Sequence, residues 1–224
     1  AVMNSCAVLP KAVSALIDPL KALISGMFRP DRLPQIEVAV GEAQCALVLR
    51  HLEPLTAEDE DHLRAFADRH HVVWYLQPGG PDTAVLFHPA DAGPLEYLLP
   101  DFGVRLRFRP TDFTQVNHGI NRMLVRRALS LLQPLPGERI GDLFCGLGNF
   151  TIPIARRCAF VTGIEGSRES VTRAIQNAQG NGIDKVAFYV ADLSQPLDGV
   201  PWANRHYDKV LLDPSRAGAQ EVLS

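Results

Sequence analysis

A glycine-rich turn between an apolar strand and a helix is the part of this sequence with the clearest chemistry. The stretch Ile140-Gly-Asp-Leu-Phe-Cys-Gly-Leu-Gly-Asn-Phe150 is predicted to be a short apolar strand that runs into a turn with Gly146 and Gly148, and a helix is predicted over Asn149–Arg157. Glycine permits the sharp turn and lets a ligand come close to the backbone. The turn is therefore a candidate binding site for a ligand.

Polar residues also follow the next predicted strands. Three further apolar strands are predicted downstream, over residues 160–164, 186–190 and 209–212. The first is followed by Glu165, roughly 20 residues after the glycines, where a carboxylate can hold a ribose diol. The other two are followed by Asp192 and Asp213. Four such strand ends in order predict one edge of a doubly wound parallel sheet, where such sheets bind ligands.

The turn could serve two classes of ligand. The dinucleotide fingerprint G-x-G-x-x-G is incomplete, because Thr151 stands at the position of its third glycine. Asp142 precedes the glycines inside the turn, where its carboxylate would repel a pyrophosphate but not the sulfonium and ammonium groups of S-adenosylmethionine. The electrostatics therefore favour S-adenosylmethionine over a dinucleotide.

Four spaced motifs carry a family resemblance. In chain order they are Phe113-Thr-Gln115-Val-Asn117, Asp142-Leu-Phe144-Cys-Gly-Leu-Gly-Asn149-Phe150, Gly163-Ile-Glu165-Gly166 and Asp208-Lys-Val-Leu-Leu-Asp213-Pro-Ser-Arg216-Ala-Gly218. With these motifs the chain resembles the bacterial RNA uracil-C5 methyltransferases, and among them the D type, iron–sulfur enzymes that methylate one uridine of 23S rRNA. Asn4-Ser-Cys6-Ala-Val-Leu9 is similar to that family as well, so the resemblance covers nearly the whole chain.

The resemblance implies a Rossmann-like α/β domain dependent on S-adenosylmethionine, with an incomplete parallel sheet. A smaller α+β central domain that contacts RNA precedes it. We place the boundary near Pro110, which gives domains over 1–110 and 111–224, because strands and helices alternate beyond it. Before it, the pattern predicts a helix over Lys11–Phe28, divided by Pro19, and then strands in hairpins.

The resemblance also implies which residues bind the cofactor. Six are expected to do so: Gln115, Phe144, Asn149, Glu165, Asp192 and Asp213. Gln115 would contact methionine or uracil, Phe144 would pack on the cofactor, and Asp192 would accept a hydrogen bond from the adenine amino group. Cys6 matches one of four ligands of a [4Fe–4S] cluster. Since the other three lie upstream in the family, the cluster is expected in the full-length protein only.

The chemistry of the family needs a nucleophile that this chain is expected to lack. A thiolate adds to C6 of uracil, C5 then attacks the sulfonium methyl, and a base removes the C5 proton. In the family, the cysteine lies in a Ser-Cys-Asn motif on the strand after the Asp-Pro-Ser-Arg motif, with a glutamate base further on, so both are expected after Ser224. Cys145 is expected to be a buried core residue. We therefore predict no catalytic residue in this chain, and no activity from it alone.

Composition agrees with a soluble globular protein, at 46% hydrophobic and 21% charged residues. No apolar run is long enough to span a bilayer, and no signal peptide opens the chain. The four cysteines lack C-x-x-C spacing, so neither a zinc site nor a disulfide framework is indicated. The net charge of −3 predicts weak RNA binding by this segment. The resemblance implies a cytoplasmic protein, monomeric in full length, whose partner is 23S rRNA and neither DNA nor a membrane.

Two other function classes stay open. A methyltransferase acting on an exocyclic amine carries D/N-P-P-Y/F after the fourth strand, whereas this chain has Asp213-Pro-Ser-Arg216, which lacks the aromatic residue that stacks on a flipped base. The other class is a module that binds the cofactor or RNA without catalysis. A Ser-Cys-Asn motif beyond Ser224 would separate the uracil-C5 function from both.

Overall fold

The computed structural model describes residues 9–195, 199–200, 202–214 and 218–219. The chain divides into two compact units. The first comprises Ala1–Glu96 and Phe108–His118, and the second comprises Tyr97–Arg107 and Gly119–Ser224. The domain boundary near Pro110 stays a prediction. Within the described ranges, no helix is both long enough and apolar enough to cross a membrane.

Helices and strands alternate along most of the described chain. The helices are α1 (Lys11–Ser14), α2 (Ile17–Ser25), α3 (Ala57–His70), α4 (His118–Leu132), α5 (Thr151–Ala155) and α6 (Arg168–Gly180). The strands are β1 (Gln35–Val40), β2 (Cys45–Arg50), β3 (Val72–Gln77), β4 (Val85–His88), β5 (Leu95–Leu99), β6 (Val104–Phe108), β7 (Arg139–Leu143), β8 (Phe160–Glu165), β9 (Val186–Val190) and β10 (Lys209–Leu212).

The first unit contains a four-stranded sheet in the order β1-β2-β3-β4. As predicted, β1 and β2 form an antiparallel hairpin. The expectation that all strands of this part pair in hairpins is wrong, because β2 and β3 run parallel. The connection between them contains α3, which is long enough to return the chain to the same end of the sheet. Thr56 and Asp59 form a capping box at the start of α3.

The predicted division of the first helix is confirmed, although the break lies before the proline. The helix stops at Ser14 and a second one starts at Ile17. Pro19 falls in the first turn of α2, where a backbone N–H would have no partner inside the helix. Proline is therefore compatible with this position.

The second unit is built on a parallel sheet in the order β10-β7-β8-β9. The fourth strand of this region lies beside the first, with Leu212 opposite Leu143. The core contains fully buried side chains from β7, β8 and α5, namely Ile140, Ile152, Ile154, Val161 and Ile164. Since all four strands are parallel, their carboxyl ends lie at the same edge, as the sequence predicted.

Gly163 in β8 is a position where the sheet has no room for a side chain. It lies opposite Asp142 on β7 and Phe188 on β9. A Cβ atom at Gly163 would come within 2.6 Å of the Phe188 ring and 3.0 Å of Cys145 Sγ. The ring of Phe188 packs where that atom would be, so glycine is required by this close approach.

Gly163→Ala is expected to lower the free energy of unfolding by about 1–3 kcal/mol, the usual cost of overpacking a core. Urea denaturation of the chain measures this change. Gly180→Ala is the matched control, because a Cβ there would meet no atom within 4 Å. Equal stability of the two variants would contradict the packing argument.

Strands β5 and β6 form a separate two-stranded sheet. Strand β5 was not predicted. In β6, Val104, Leu106 and Phe108 are buried, whereas Arg105 and Arg107 are exposed. The two arginines of this strand therefore share one face.

Candidate functional site

The turn after β7 depends on backbone conformations that favour glycine. Phe144, Gly146 and Gly148 have φ angles of 66°, 54° and 96°, in or near the left-handed region. A Cβ at Gly146 would meet no atom within 4 Å, so the space beside this backbone is open. A Cβ at Gly148 would lie 3.0 Å from Ile152 Cδ1. Gly146 therefore leaves open space beside the turn, and Gly148 lets α5 pack against the turn.

Glu165 holds this turn to the start of α6. Its Oε2 accepts a hydrogen bond from the Gly146 N–H at 3.1 Å, and its Oε1 accepts one from the Ser167 N–H at 2.9 Å. Ser167 is the N-cap of α6 and accepts from the Ser170 N–H. Each carboxylate oxygen can accept further hydrogen bonds. The oriented, half-buried carboxylate can therefore also accept from a pair of hydroxyl groups.

Asp142 lies in the core rather than in the turn, which corrects the prediction made for it. It belongs to β7 and its side chain is 0% exposed. Its Oδ2 accepts a hydrogen bond from the Thr151 hydroxyl, and its Oδ1 has no partner among the described residues. The pKa of this carboxyl is raised to about 7, mainly by burial and also by the nearby charges of Asp213 and Glu165, while hydrogen bonds with Thr151 oppose the rise. When ionised, Asp142 can therefore influence a ligand through its charge.

Asp213 directly follows β10 at the ligand edge of the sheet. Its N–H donates to the Leu143 carbonyl at 3.4 Å, which continues the pairing of β10 with β7 beyond the strand. Its pKa is raised by partial desolvation of the carboxyl group. Three carboxylates, those of Asp142, Glu165 and Asp213, therefore lie close enough to influence one another at this edge.

The side chain of Asn149 is occupied by an internal hydrogen-bond network. Its Oδ1 accepts from the Tyr97 hydroxyl and from Asn121 Nδ2, both at 3.0 Å, and its Nδ2 donates to Asn121 Oδ1 at 3.0 Å. Tyr97 and Asn121 are 3% and 2% exposed. The Asn149 amide is thus hydrogen-bonded within the protein, and its predicted contact with a cofactor stays a prediction. Sequence reasoning missed Tyr97 and Asn121, because they are remote in the chain.

Phe144 follows β7 and Asp192 lies just beyond β9 in the same sheet. Phe144 is half-buried and packs against a cluster that includes Ile164 and Trp202. Asp192 is exposed, and its Oδ1 accepts from the Ser194 N–H at 2.9 Å and the Ser194 hydroxyl at 2.6 Å. These hydrogen bonds, the hydroxyl first, lower the pKa of Asp192. The proposed contacts of both residues with a cofactor remain predictions.

Two predicted site residues are not placed at this turn. Gln115 is exposed in the segment Phe108–His118, which belongs to the first unit. Its contact with methionine or uracil stays a prediction. Cys6 lies outside the described residues, as do Ser215 and Arg216. Among the residues that the structure does describe, no group of three or more His, Cys, Asp or Glu side chains could hold a metal ion.

The described cysteines are free thiols without the features of a nucleophile. Cys145 is 3% exposed, as predicted for a core residue. Burial, and then the charges of Asp142 and Glu165, raise the pKa of its thiol well above the ordinary value. Burial likewise raises the pKa of Cys158, and that of Cys45 to about 11. Since the thiolate is the reactive form, these three cysteines are expected to be unreactive.

The arrangement fits a cationic ligand that carries a diol. The open space at Gly146 admits a ligand to the backbone, and Glu165 presents an oriented carboxylate beside it. Carboxylates at the strand ends favour positive charge and disfavour a pyrophosphate. S-Adenosylmethionine has a ribose diol and a sulfonium cation, so the residues present fit this cofactor.

Comparison with known proteins agrees with this geometry. A family profile described as a methyltransferase domain matches residues 135–221. The 23S rRNA (uracil(1939)-C(5))-methyltransferase RlmD of Nitrosospira multiformis is 53% identical over 99% of this chain and 51% of its own length. By sequence, the chain is a relative of these uracil-C5 methyltransferases. The protein of the same name from Burkholderia ambifaria is 54% identical over 98% of the chain and 47% of its own length. The chain therefore spans about half the length of the curated relatives it matches.

Solved structures confirm the predicted fold class. The tRNA (uracil-54, C5)-methyltransferase of Pyrococcus abyssi, solved with S-adenosyl-L-homocysteine, has a TM-score of 0.67 at 19% identity, over 99% of this chain and 55% of that one. The tRNA m1G37 methyltransferase of M. jannaschii has a TM-score of 0.51 at 11% identity, over 84% of this chain and 54% of that one. The fold is thus that of a Rossmann-like methyltransferase domain, preceded by a smaller α+β part.

Proposed function

We propose that this chain is part of an enzyme that transfers a methyl group from S-adenosylmethionine to C5 of a uridine in 23S rRNA. The observation that carries the proposal is the identity of 53% and 54%, over nearly the whole chain, to proteins of that name. The turn after β7 supports it independently, because its open backbone and oriented carboxylate suit this cofactor.

The proposal gives each residue at the strand ends a role in binding. Glu165 accepts hydrogen bonds from the ribose hydroxyls, and Asp192 accepts one from the adenine amino group. Phe144 packs on the cofactor, and Asp213 lies where cofactor and substrate meet. The cofactor supplies an electrophilic methyl group. When it is ionised, the buried carboxyl of Asp142 favours a cation at the turn. Gln115 and Asn149 complete the proposed binding set.

The nucleophile and the base are proposed to lie beyond Ser224 in the whole protein. Uracil needs a thiolate at C6 before C5 can attack a methyl group, and the buried Cys145 does not offer one. The chain by itself is therefore proposed to bind the cofactor without methylating RNA. For the whole protein the proposal includes Cys6 as one ligand of a [4Fe–4S] cluster, a monomeric state and a cytoplasmic location.

Methyl transfer from labelled S-adenosylmethionine to a 23S rRNA fragment tests this function. We expect the whole protein to label C5 of one uridine, and the 224-residue chain to transfer no label. A substrate with 5-fluorouridine at the target traps any covalent adduct, since it has no C5 proton to lose. An adduct with the 224-residue chain that disappears in Cys145→Ser would contradict the assignment of the nucleophile. Label on an exocyclic amine would instead favour the other class of methyltransferase.

A further inference from the structure

Asn177 of α6 and Asn181, the C-cap of that helix, bind the backbone of β6 as a neighbouring strand would. Asn177 Oδ1 accepts from the Arg107 N–H at 2.8 Å, and its Nδ2 donates to the Arg107 carbonyl at 3.0 Å. Asn181 makes the same pair of bonds to the N–H and carbonyl of Arg105, at 2.9 and 2.6 Å. Because a backbone N–H can only donate, these partners determine which amide atom is oxygen.

The spacing of the two asparagines explains why both bonds form. Four residues of an α-helix advance about 6 Å, and two residues of a strand advance about 6.6 Å. Side chains one turn apart on α6 therefore match alternate residues of β6. The two amides fasten the hairpin of β5 and β6 to the helix that follows Glu165.

The two asparagines differ in the acceptor of their second side-chain amide proton. The second proton of the Asn181 amide goes to the Asn177 carbonyl at 2.7 Å, within the same helix. That of Asn177 goes to the Leu147 carbonyl at 3.1 Å, inside the glycine-rich turn. Asn177 is 3% exposed, so loss of this bond would leave a buried carbonyl without its partner. Asn177 thus joins the hairpin directly to the turn.

A second contact joins the same hairpin to Asn149, the residue that follows Gly148. Tyr97 lies on β5, and its hydroxyl donates to Asn149 Oδ1 at 3.0 Å. The hairpin therefore contacts this part of the chain at Leu147 through Asn177, and at Asn149 through Tyr97. The contact with Leu147 is buried and that with Asn149 is partly buried, which makes both sensitive to small displacements of the hairpin.

We propose that Asn177 is a positioning residue for the cofactor-binding turn and that through it the β5–β6 hairpin sets the conformation of that turn. This inference rests on the proposed function only in that the turn binds S-adenosylmethionine. Asn177 acts through the Leu147 carbonyl, and no contact of Asn177 with the cofactor is required.

Asn177→Ala and Asn181→Ala, made in the 224-residue chain, form a matched pair. Each removes one bidentate contact with β6, but Asn177→Ala also removes the bond to Leu147. We expect Asn177→Ala to accelerate hydrogen exchange of the backbone amides of residues 144–149 about fivefold, and to weaken binding of S-adenosylhomocysteine by a similar factor. Asn181→Ala should leave both values within about twofold of the wild type, at a similar loss of thermal stability.

A third variant tests the hydrogen bonds that Asn177 donates separately from the one that it accepts. Asn177→Asp keeps an acceptor for the Arg107 N–H and loses both donors, so it should match Asn177→Ala in exchange at the turn. Equal rates of hydrogen exchange at residues 144–149 in the Asn177 and Asn181 variants would overturn the proposal. So would exchange rates that change only in proportion to the loss of thermal stability. Faster exchange in Asn177→Ala, together with no binding of S-adenosylhomocysteine by the wild type, would support the positioning function of Asn177. It would also count against S-adenosylmethionine as the ligand of the turn.

Discussion

Glu165→Ala is expected to weaken binding of S-adenosylhomocysteine by about 100-fold, because a hydrogen bond to a charged group contributes about 1.5–3 kcal/mol. In the proposed complex the carboxylate accepts hydrogen bonds from the ribose. It also accepts from the N–H groups of Gly146 and Ser167, so its removal releases the turn from α6. Calorimetric titration of wild type and variant measures the change.

Glu169→Ala provides the control for this experiment. Glu169 is an exposed carboxylate in the first turn of α6, and it accepts from the Ser167 hydroxyl rather than from the turn. Its removal changes the net charge as Glu165→Ala does, but should leave the affinity within about twofold of the wild type. Equal affinities of Glu165→Ala and the wild type would remove Glu165 from the cofactor site.

Asp142→Asn is expected to flatten the pH dependence of stability by on the order of 2–3 kcal/mol between about pH 5 and pH 8. The folded-state pKa of Asp142 is raised to about 7 by burial, whereas an unfolded chain has the ordinary value near 3.9. Folding therefore favours the protonated carboxyl. Its contribution to stability is fully present below the unfolded pKa and is lost as the pH rises through 7. Asparagine removes this dependence and keeps an acceptor for Thr151.

Urea denaturation at a series of pH values checks this prediction, with Asp192→Asn as the control. Asp192 is exposed and its pKa is lowered by hydrogen bonds. Its contribution is therefore present above the unfolded pKa and is lost only as the pH falls through the folded one. The control should keep the wild-type slope between about pH 5 and pH 8. The same slope in Asp142→Asn and wild type would show that Asp142 is ionised throughout this range.

The order of elements around the site could be predicted from local sequence patterns. Apolar runs bounded by polar residues identified the four strands of the parallel sheet, and two of them, Val186–Val190 and Lys209–Leu212, have the predicted bounds. The helix predicted over Asn149–Arg157 is shorter, at Thr151–Ala155, because the glycine-rich turn occupies the residues before it. The parallel pairing of β2 with β3 was missed, since a strand pattern does not specify the direction of its neighbour.

Tertiary packing decided which polar side chains are free to meet a ligand. Asp142 looks like a turn residue in the sequence, but the strand continues through it and directs its side chain into the core. Asn149 is predicted from the sequence to bind the cofactor, and only the structure shows that its amide also bonds to Tyr97, 52 positions earlier in the chain. No local pattern reports contacts at that separation.

The sequence by itself determined the parallel sheet, its ligand edge and the glycine-rich turn, because each follows from residue types within a few positions of one another. Only the tertiary structure decided that Asn177, 70 positions from Arg107, joins the hairpin to that turn. An asparagine in the middle of a helix has no distinctive sequence signal, since its partners are backbone groups that folding brings to it. Such backbone partners can be supplied by any residue type, so their positions depend on the packing of α6 against β6.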